Sequence, residues 1–387
     1  MRVRRFVNLA VAVLALGLGG FAAWLLALPP APAPVTAPPV PAGEVAAILD
    51  ALRPPTRERP LVAIVGINDA TETTDYLMPL GILRRADVAE VVTLATEPGP
   101  VRLYPALAVD PDGTIAEFDS RHPEGADYVI VPAMSRDDDP LALAWIRSQA
   151  GKGATIISVC AGAKVVAAAG LLEGRRATTH WYYLDELLEM SPAMTYVADR
   201  RIVVDDGVAT TTGITASMPM MLTLIEAIAG RGRADSVAQD LGVSERDLRH
   251  ASGAFRLTRP FALTVLGNVL TFWNREELGL ALSPGMDEVS LALVADAWSR
   301  TYRSRAVTFA DATAPVRTRA GARIIPDRPA GQASAQRLPA IGDRPPAHAL
   351  DDALGAIEQR YGDGTSRVVA MQLEYGWKGG KMEGWKY

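Results

Sequence analysis

Ala154-Thr155-Ile156-Ile157-Ser158-Val159-Cys160-Ala161-Gly162-Ala163 runs directly into Lys164-Val165-Val166-Ala167-Ala168-Ala169. The β-branched run predicts a buried strand, and the alanine-rich stretch after Gly162 predicts a helix. Cys160 therefore falls at the junction, off the carboxyl end of the strand and at the first turn of the helix. Backbone N–H groups and the helix dipole lower a thiol pKa at such a place and make the thiolate nucleophilic. It is the only cysteine among 387 residues. An isolated cysteine also reads as a small buried hydrophobe, and the surrounding pattern has to decide between the two.

Strands alternate with helices on both sides of this junction. Residues 61–66, 90–95 and 127–131 are short apolar runs that predict buried strands, and residues 74–86 and 140–150 have helical spacing. Residues 101–118 alternate around Asp110-Pro-Asp-Gly113, a hairpin signal. Further strands are expected within 196–204 and a helix over 214–229. The expected fold is α/β: a flavodoxin-like parallel sheet sandwiched by helices over residues 60–230. Ligands bind such sheets at the carboxyl ends of the strands, where Cys160 stands.

Beyond Gly230 a mostly helical extension is expected over 231–310, with Trp273 and Trp298 on apolar faces. Residues 311–348, rich in Pro, Arg, Gly and Ala, are expected to be irregular. Residues 349–387 are expected to hold a helix over 349–361, an alternating strand over 366–375, and a Trp/Gly/Lys tail.

The amino-terminal segment 1–28 opens Met1-Arg-Val-Arg-Arg5, and residues 6–28 then contain no charge and only one polar side chain, Asn8. That length predicts one transmembrane helix. The basic flank would keep the amino terminus cytoplasmic and set the catalytic domain on the extracytoplasmic side, making the membrane a partner. A cleaved signal peptide is the alternative. Residues 29–59 read as a stiff, Pro-rich linker.

Lys and Arg number 39 against 44 Asp and Glu, a net charge of −5. That balance offers nothing to nucleic acid. One cysteine excludes an intrachain disulfide, and four histidines without a Cys/His cluster predict no metal site. No cofactor is expected. Twenty residues after Cys160 comes His180, in Arg175-Arg-Ala-Thr-Thr-His180-Trp181. Cysteine with histidine is the minimum set for thiolate chemistry, the imidazole accepting and returning the proton.

Ser158-Val-Cys-Ala-Gly-Ala163, together with Ala169-Gly-Leu-Leu-Glu-Gly-Arg-Arg-Ala-Thr-Thr-His-Trp181, resembles the ThiJ/PfpI superfamily of class I glutamine-amidotransferase-like domains. Within it the sequence looks most like the N-terminal domains of AraC-type regulators and the isonitrile hydratases. The resemblance covers about residues 60–230. It implies a carboxylate that contacts the cysteine. In Asn68-Asp-Ala-Thr-Glu72-Thr-Thr-Asp75-Tyr-Leu-Met-Pro79 the matching position is Asp75, with Glu72 as runner-up. It also implies an oxyanion hole from the Ala161 N–H and one from the loop after residue 131. That loop departs from the family's Pro-Gly-Gly, reading Val131-Pro132-Ala133-Met134, and Ala161 stands where many relatives have Thr. Ala161, Ala133, Met134, Trp181 and Gly213 are the expected substrate-lining residues. Partners implied are a small-molecule substrate and a second copy in a homodimer.

The resulting expectation is a nucleophilic Cys160, a proton-shuttling His180 and an Asp75 that hydrogen-bonds the sulfur. The chemistry would be addition to an electrophilic carbon, of hydratase, hydrolase or lyase type. A non-enzymatic ligand-binding or redox-sensing domain is the alternative. Residues 236–248 also look like a helix-turn-helix, as in AraC-type regulators. The second helix would carry only Arg246 and Arg249 beside Glu245 and Asp247, so DNA binding is not expected.

Overall fold

The computed structural model describes residues 2–31, 36–244, 246–334 and 336–377. Its centre is a seven-stranded sheet in the order Ile202–Asp205, Val208–Thr211, Thr155–Ser158, Tyr128–Val131, Leu61–Gly66, Glu90–Ala95, Gly113–Thr114. All neighbours are parallel except the first two strands, which form an antiparallel pair. Both faces are buried, which is why the strands read as unbroken apolar runs. Along Leu61–Gly66, Val62 and Ile64 enter one apolar cluster while Leu61, Ala63 and Val65 enter the other. Thr73–Ala86 and Ser217–Ala229 supply the first cluster; Pro140–Gly151 and Gly162–Ala168 supply the second.

The expected hairpin lies earlier than the Asp110–Gly113 signal. Val101–Tyr104 pairs antiparallel with Ala108–Asp110, and Gly113–Thr114 instead joins the edge of the main sheet. Thr114 then caps the helix Ile115–Arg121. Its hydroxyl accepts the Glu117 N–H at 3.2 Å while the Glu117 carboxylate accepts the Thr114 N–H at 2.8 Å. The cap converts the second half of the alternating run into helix.

The carboxyl-terminal part departs further from expectation. Glu276–Ala281, Glu288–Ser299 and Ser304–Ala310 form a strand–helix–strand unit with parallel strands inside the segment expected to be helical. Trp298 is buried there, whereas Trp273 is exposed. The segment expected to be irregular contributes Arg328–Pro329 to this second sheet, and Val316–Arg317 and Arg323–Ile324 to the 101–110 hairpin. Residues 366–375, expected as a strand, lie mostly in the helix Asp363–Gln372. Its buried Thr365, Val368 and Val369 follow a helical stripe, and it packs on Pro346–Tyr361 and Arg259–Leu270. Residues 378–387 of the tail, and 32–35 of the linker, lie outside the described residues.

The helix Glu288–Ser299 packs on Thr73–Ala86, joining the extension to the sheet domain. Gly81 makes this approach feasible: a Cβ there would lie 2.6 Å from Glu288 Oε1 and 2.7 Å from Val289 Cγ2. Of the suspected helix-turn-helix only the first helix, Arg231–Leu241, forms. Gly242 ends it in the left-handed region at φ 76°, and the described residues from 243 to 250 are not helical. Arg246 is bound to Glu226 and, at 2.7 Å, to Asp235.

A helix spans Arg2–Ala27. Among the described residues, however, no helix is long and apolar enough to cross a membrane. The expected transmembrane anchor, the membrane partner and the extracytoplasmic location are therefore overturned. The carboxyl end of this helix is instead held on the extension. Arg259 donates from Nε to the Leu25 carbonyl at 3.2 Å, and its backbone N–H donates to the Pro29 carbonyl at 2.8 Å. The first bond satisfies a carbonyl that the helix end leaves open, and the second ties down the residues that follow it.

Candidate functional site

The strand Thr155–Ser158 turns into Gly162–Ala168 through Cys160, whose φ of 56° is rare for a non-glycine residue. Two neighbouring segments pin this turn. The Cys160 N–H donates to Thr211 Oγ1 at 3.1 Å, and its carbonyl accepts from Thr179 Oγ1 at 3.1 Å. Gly162 is required by space, because a Cβ would lie 2.1 Å from the Val131 carbonyl oxygen. The strained backbone aims the side chain off the sheet edge, as a nucleophile elbow does.

The thiol is buried, and its electrostatics differ from the expectation of a lowered pKa. Burial pushes it well above the ordinary thiol range, and the carboxyls of Asp75, Glu72 and Glu374 push it further. The Ala161 N–H acts in the opposite direction but does not prevail. Cys160 thus rests as a neutral thiol among acids.

Asp75 opens the helix Thr73–Ala86 and is fully buried. Its Oδ2 accepts the Ala133 N–H at 3.1 Å, while Oδ1 has no hydrogen-bond partner among the described residues. Burial and the neighbouring Glu72 raise its pKa well above the carboxylate range. When the carboxyl is protonated, this open oxygen can donate to a substrate or to the thiol. Glu72 accepts from Arg300 at 2.7 Å, and Arg300 also donates to Asp296 at 2.7 Å. Burial raises the pKa of both acids, and Arg300 opposes that rise.

His180 is buried but turned to other work. Its Nδ1 accepts the Tyr182 N–H at 3.2 Å, and Nε2 meets the Gln372 carbonyl at 3.0 Å. The accepting role of Nδ1 places the proton on Nε2. Burial holds its pKa down to about 4, so it stays neutral. Trp181 donates from Nε1 to the Met371 carbonyl at 2.9 Å. Both residues thus secure the carboxyl-terminal segment rather than offering a free nitrogen to the thiol. Ala133 gives its N–H to Asp75 and its carbonyl to the Glu72 N–H at 2.8 Å, and Met134 bridges to Thr71. The loop uses no positive φ at Ala133 or Met134. Its N–H at Ala133 is committed to the acid, not held open for an oxyanion.

Three residues absent from the sequence reading complete the surroundings: Arg300, Gln372 and Glu374. Glu374 is buried, accepts the N–H groups of Trp181 and Gly213 at 2.6 Å each, and lies 3.4 Å from His250 Nε2. The only signal in the sequence is an acid set in the apolar run 368–375. Among the described residues no group of three or more His, Cys, Asp or Glu could hold a metal ion.

A cysteine on a strained strand-to-helix turn at the carboxyl edge of a flavodoxin-like parallel sheet, with a protonated acid beside it, defines the class. Residues 62–227 match the DJ-1/PfpI family. It is 42% identical over 104 residues to an isonitrile hydratase of Pseudomonas putida, covering 27% of this chain and 44% of that protein. It is 30% identical over 185 residues to an HTH-type transcriptional regulator of Pseudomonas aeruginosa, covering 46% of this chain and 52% of that protein. The chain thus spans about half the length of these curated relatives. A solved DJ-1 superfamily protein from Salmonella typhimurium is 26% identical, with a TM-score of 0.41, covering 46% of this chain and 96% of that one.

Proposed function

We propose that this protein is an enzyme in which Cys160 adds to an electrophilic carbon of a small molecule and Asp75 moves the proton. The observation that carries this reading is the pairing of a neutral thiol on the elbow with a buried, protonated carboxyl that has one unpartnered oxygen. Two neutral acids suit concerted addition. Asp75 gives its proton to the substrate atom that gains the electron pair, sulfur bonds to carbon, and the thiol proton passes to Asp75. The net step adds S–H across the electrophile, and water then displaces the thiol. Hydration or hydrolysis is the overall outcome, consistent with the likeness to an isonitrile hydratase over part of the chain.

In this reading Ala161 supplies an N–H at the sulfur, Trp181 and Gly213 line the substrate, and His180 positions the carboxyl-terminal segment without shuttling the proton. Among the described residues from 243 to 250 none is helical, which weighs against DNA binding through that segment.

The test is turnover of isonitriles, aldehydes and amides by the full chain, by Cys160→Ala and by Asp75→Asn. Both variants should lose activity, by roughly a hundredfold or more for the general-acid change. Unchanged turnover by Cys160→Ala would remove the nucleophile.

A further inference from the structure

The Glu374 carboxylate bridges two backbone donors on separate segments, one oxygen to each. Oε1 accepts the Trp181 N–H and Oε2 the Gly213 N–H, both at 2.6 Å. Burial raises the Glu374 pKa to about 7, while these two N–H bonds and the buried Arg201 guanidinium favour its anion; His250 Nε2 is 3.4 Å from Oε2. Gly213 leaves the space: a Cβ there would lie 2.6 Å from Glu374 Cγ. Its φ of −61° suits any residue, so room rather than conformation calls for glycine here.

This cradle adjoins the thiol. Thr211, which accepts the Cys160 N–H, is two residues from Gly213, and Thr179, which donates to the Cys160 carbonyl, is two residues from Trp181. The same two segments therefore fix both the sulfur and the carboxylate. Glu374 is also near enough to raise the thiol pKa.

We propose that the Trp181 and Gly213 N–H pair is a carboxylate subsite beside Cys160, filled here by the chain's own Glu374 and taken by a small carboxylate-bearing substrate when Glu374 leaves. The inference rests on Cys160 as the reacting group and adds the substrate class. Departure of Glu374 alone would leave the Trp181 and Gly213 N–H groups without acceptors, which is destabilising. The replacement must therefore bring two oxygens set as a carboxylate sets them, which an apolar group cannot do. Glu374 itself sits at φ 50°, a strained setting for a non-glycine residue that its release relieves.

The experiment compares the unaltered full chain with Glu374→Ala and Gly213→Ala. Cys160 is labelled with iodoacetamide near neutral pH, and melting temperature is followed in sodium acetate against sodium chloride of equal ionic strength. Glu374→Ala empties the cradle; Gly213→Ala crowds the carboxylate out. Both should label Cys160 roughly tenfold faster than the unaltered chain, because the covering segment opens. Acetate, but not chloride, should slow labelling and raise the melting temperature of Glu374→Ala saturably. It should do neither in the unaltered chain or in Gly213→Ala.

A Glu374→Ala protein that responds equally to acetate and chloride overturns the subsite. If Glu374→Ala does not fold, labelling of Gly213→Ala decides, and an unchanged rate overturns the proposal. Acetate binding is read without turnover. Failure of the subsite is therefore distinct from failure of the nucleophile, which Cys160→Ala reports.

Discussion

Two walls meet at Cys160, and they are built on different scales of sequence. The elbow wall is local: strand, thiol and helix fall within Thr155–Ala168, held by bonds to Thr179 and Thr211. The opposite wall comes from the extension through Arg300, Gln372 and Glu374. Its hydrogen bonds span 228 residues from Arg300 to Glu72, 192 from Gln372 to His180 and 161 from Glu374 to Gly213. The local wall sets where the sulfur stands. The distant wall adds to its charge environment: after Asp75 and Glu72, Glu374 pushes the thiol pKa up, and Arg300 opposes the rise that burial causes at Glu72. A site can therefore be located from one stretch of chain while its electrostatics depend on another.

The sharpest break of this contrast is Arg300→Met. It leaves the buried Glu72 and Asp296 carboxyls without their shared cation, which should cost about 3–5 kcal/mol in urea denaturation. A loss below about 1 kcal/mol, the range of a surface pair, would mean that the distant wall contributes little.

The next largest effect is a pH dependence carried by Glu374. Burial raises its pKa from 4.5 to about 7. A raised acid contributes stability that is complete below the unfolded value and lost as pH rises through the folded one. The stability of the unaltered chain relative to Glu374→Gln should therefore fall between about pH 4.5 and 7, by up to about 3 kcal/mol. The buried His180 and His250 run the other way. Their pKa values are held down to about 4 and about 3, so their contribution is present above the ordinary 6.5 and lost as pH falls. For that reason the measurement is the difference between the two proteins at each pH. A difference that does not change with pH would contradict the buried carboxyl.

Gly81→Ala probes the seam between the two parts. Its Cβ would crowd Glu288 and Val289. Overpacking there should cost about 1–3 kcal/mol, read as a lower denaturation midpoint. The smallest effect belongs to the local wall's own domain. Thr114→Ala removes one arm of the capping box and should cost about 1 kcal/mol. A Thr114 loss larger than that of Gly81 would reverse the ranking of distant over local contributions.

The legibility of the site in the sequence follows this same division. Strands of the main sheet are buried on both faces, so they announce themselves as apolar runs, and a glycine-spaced elbow needs only adjacent residues. The hairpin near residue 110 was misplaced because alternation cannot register a cap, and Thr114 with Glu117 turned the following residues to helix. The run 366–375 alternates like a strand yet packs as a helix, since Pro346–Tyr361 and Arg259–Leu270 reward a helical stripe there. His180 was legible as a residue near the elbow but not as a neutral anchor, because its partners, Tyr182 and Gln372, follow from three-dimensional packing. Likewise the apolar amino-terminal run could be read for length, and the expected anchor was overturned among the described residues.

The sequence by itself determined the parallel sheet and the elbow, because each depends on periodicity or on residues close along the chain; Asp75 was singled out only by resemblance to the family. Tertiary structure alone decided the protonation of the thiol and of Asp75, the commitments of His180, and the carboxylate seated beside Cys160. Those properties depend on burial and on charges brought together from distant segments, and neither is encoded at any single position.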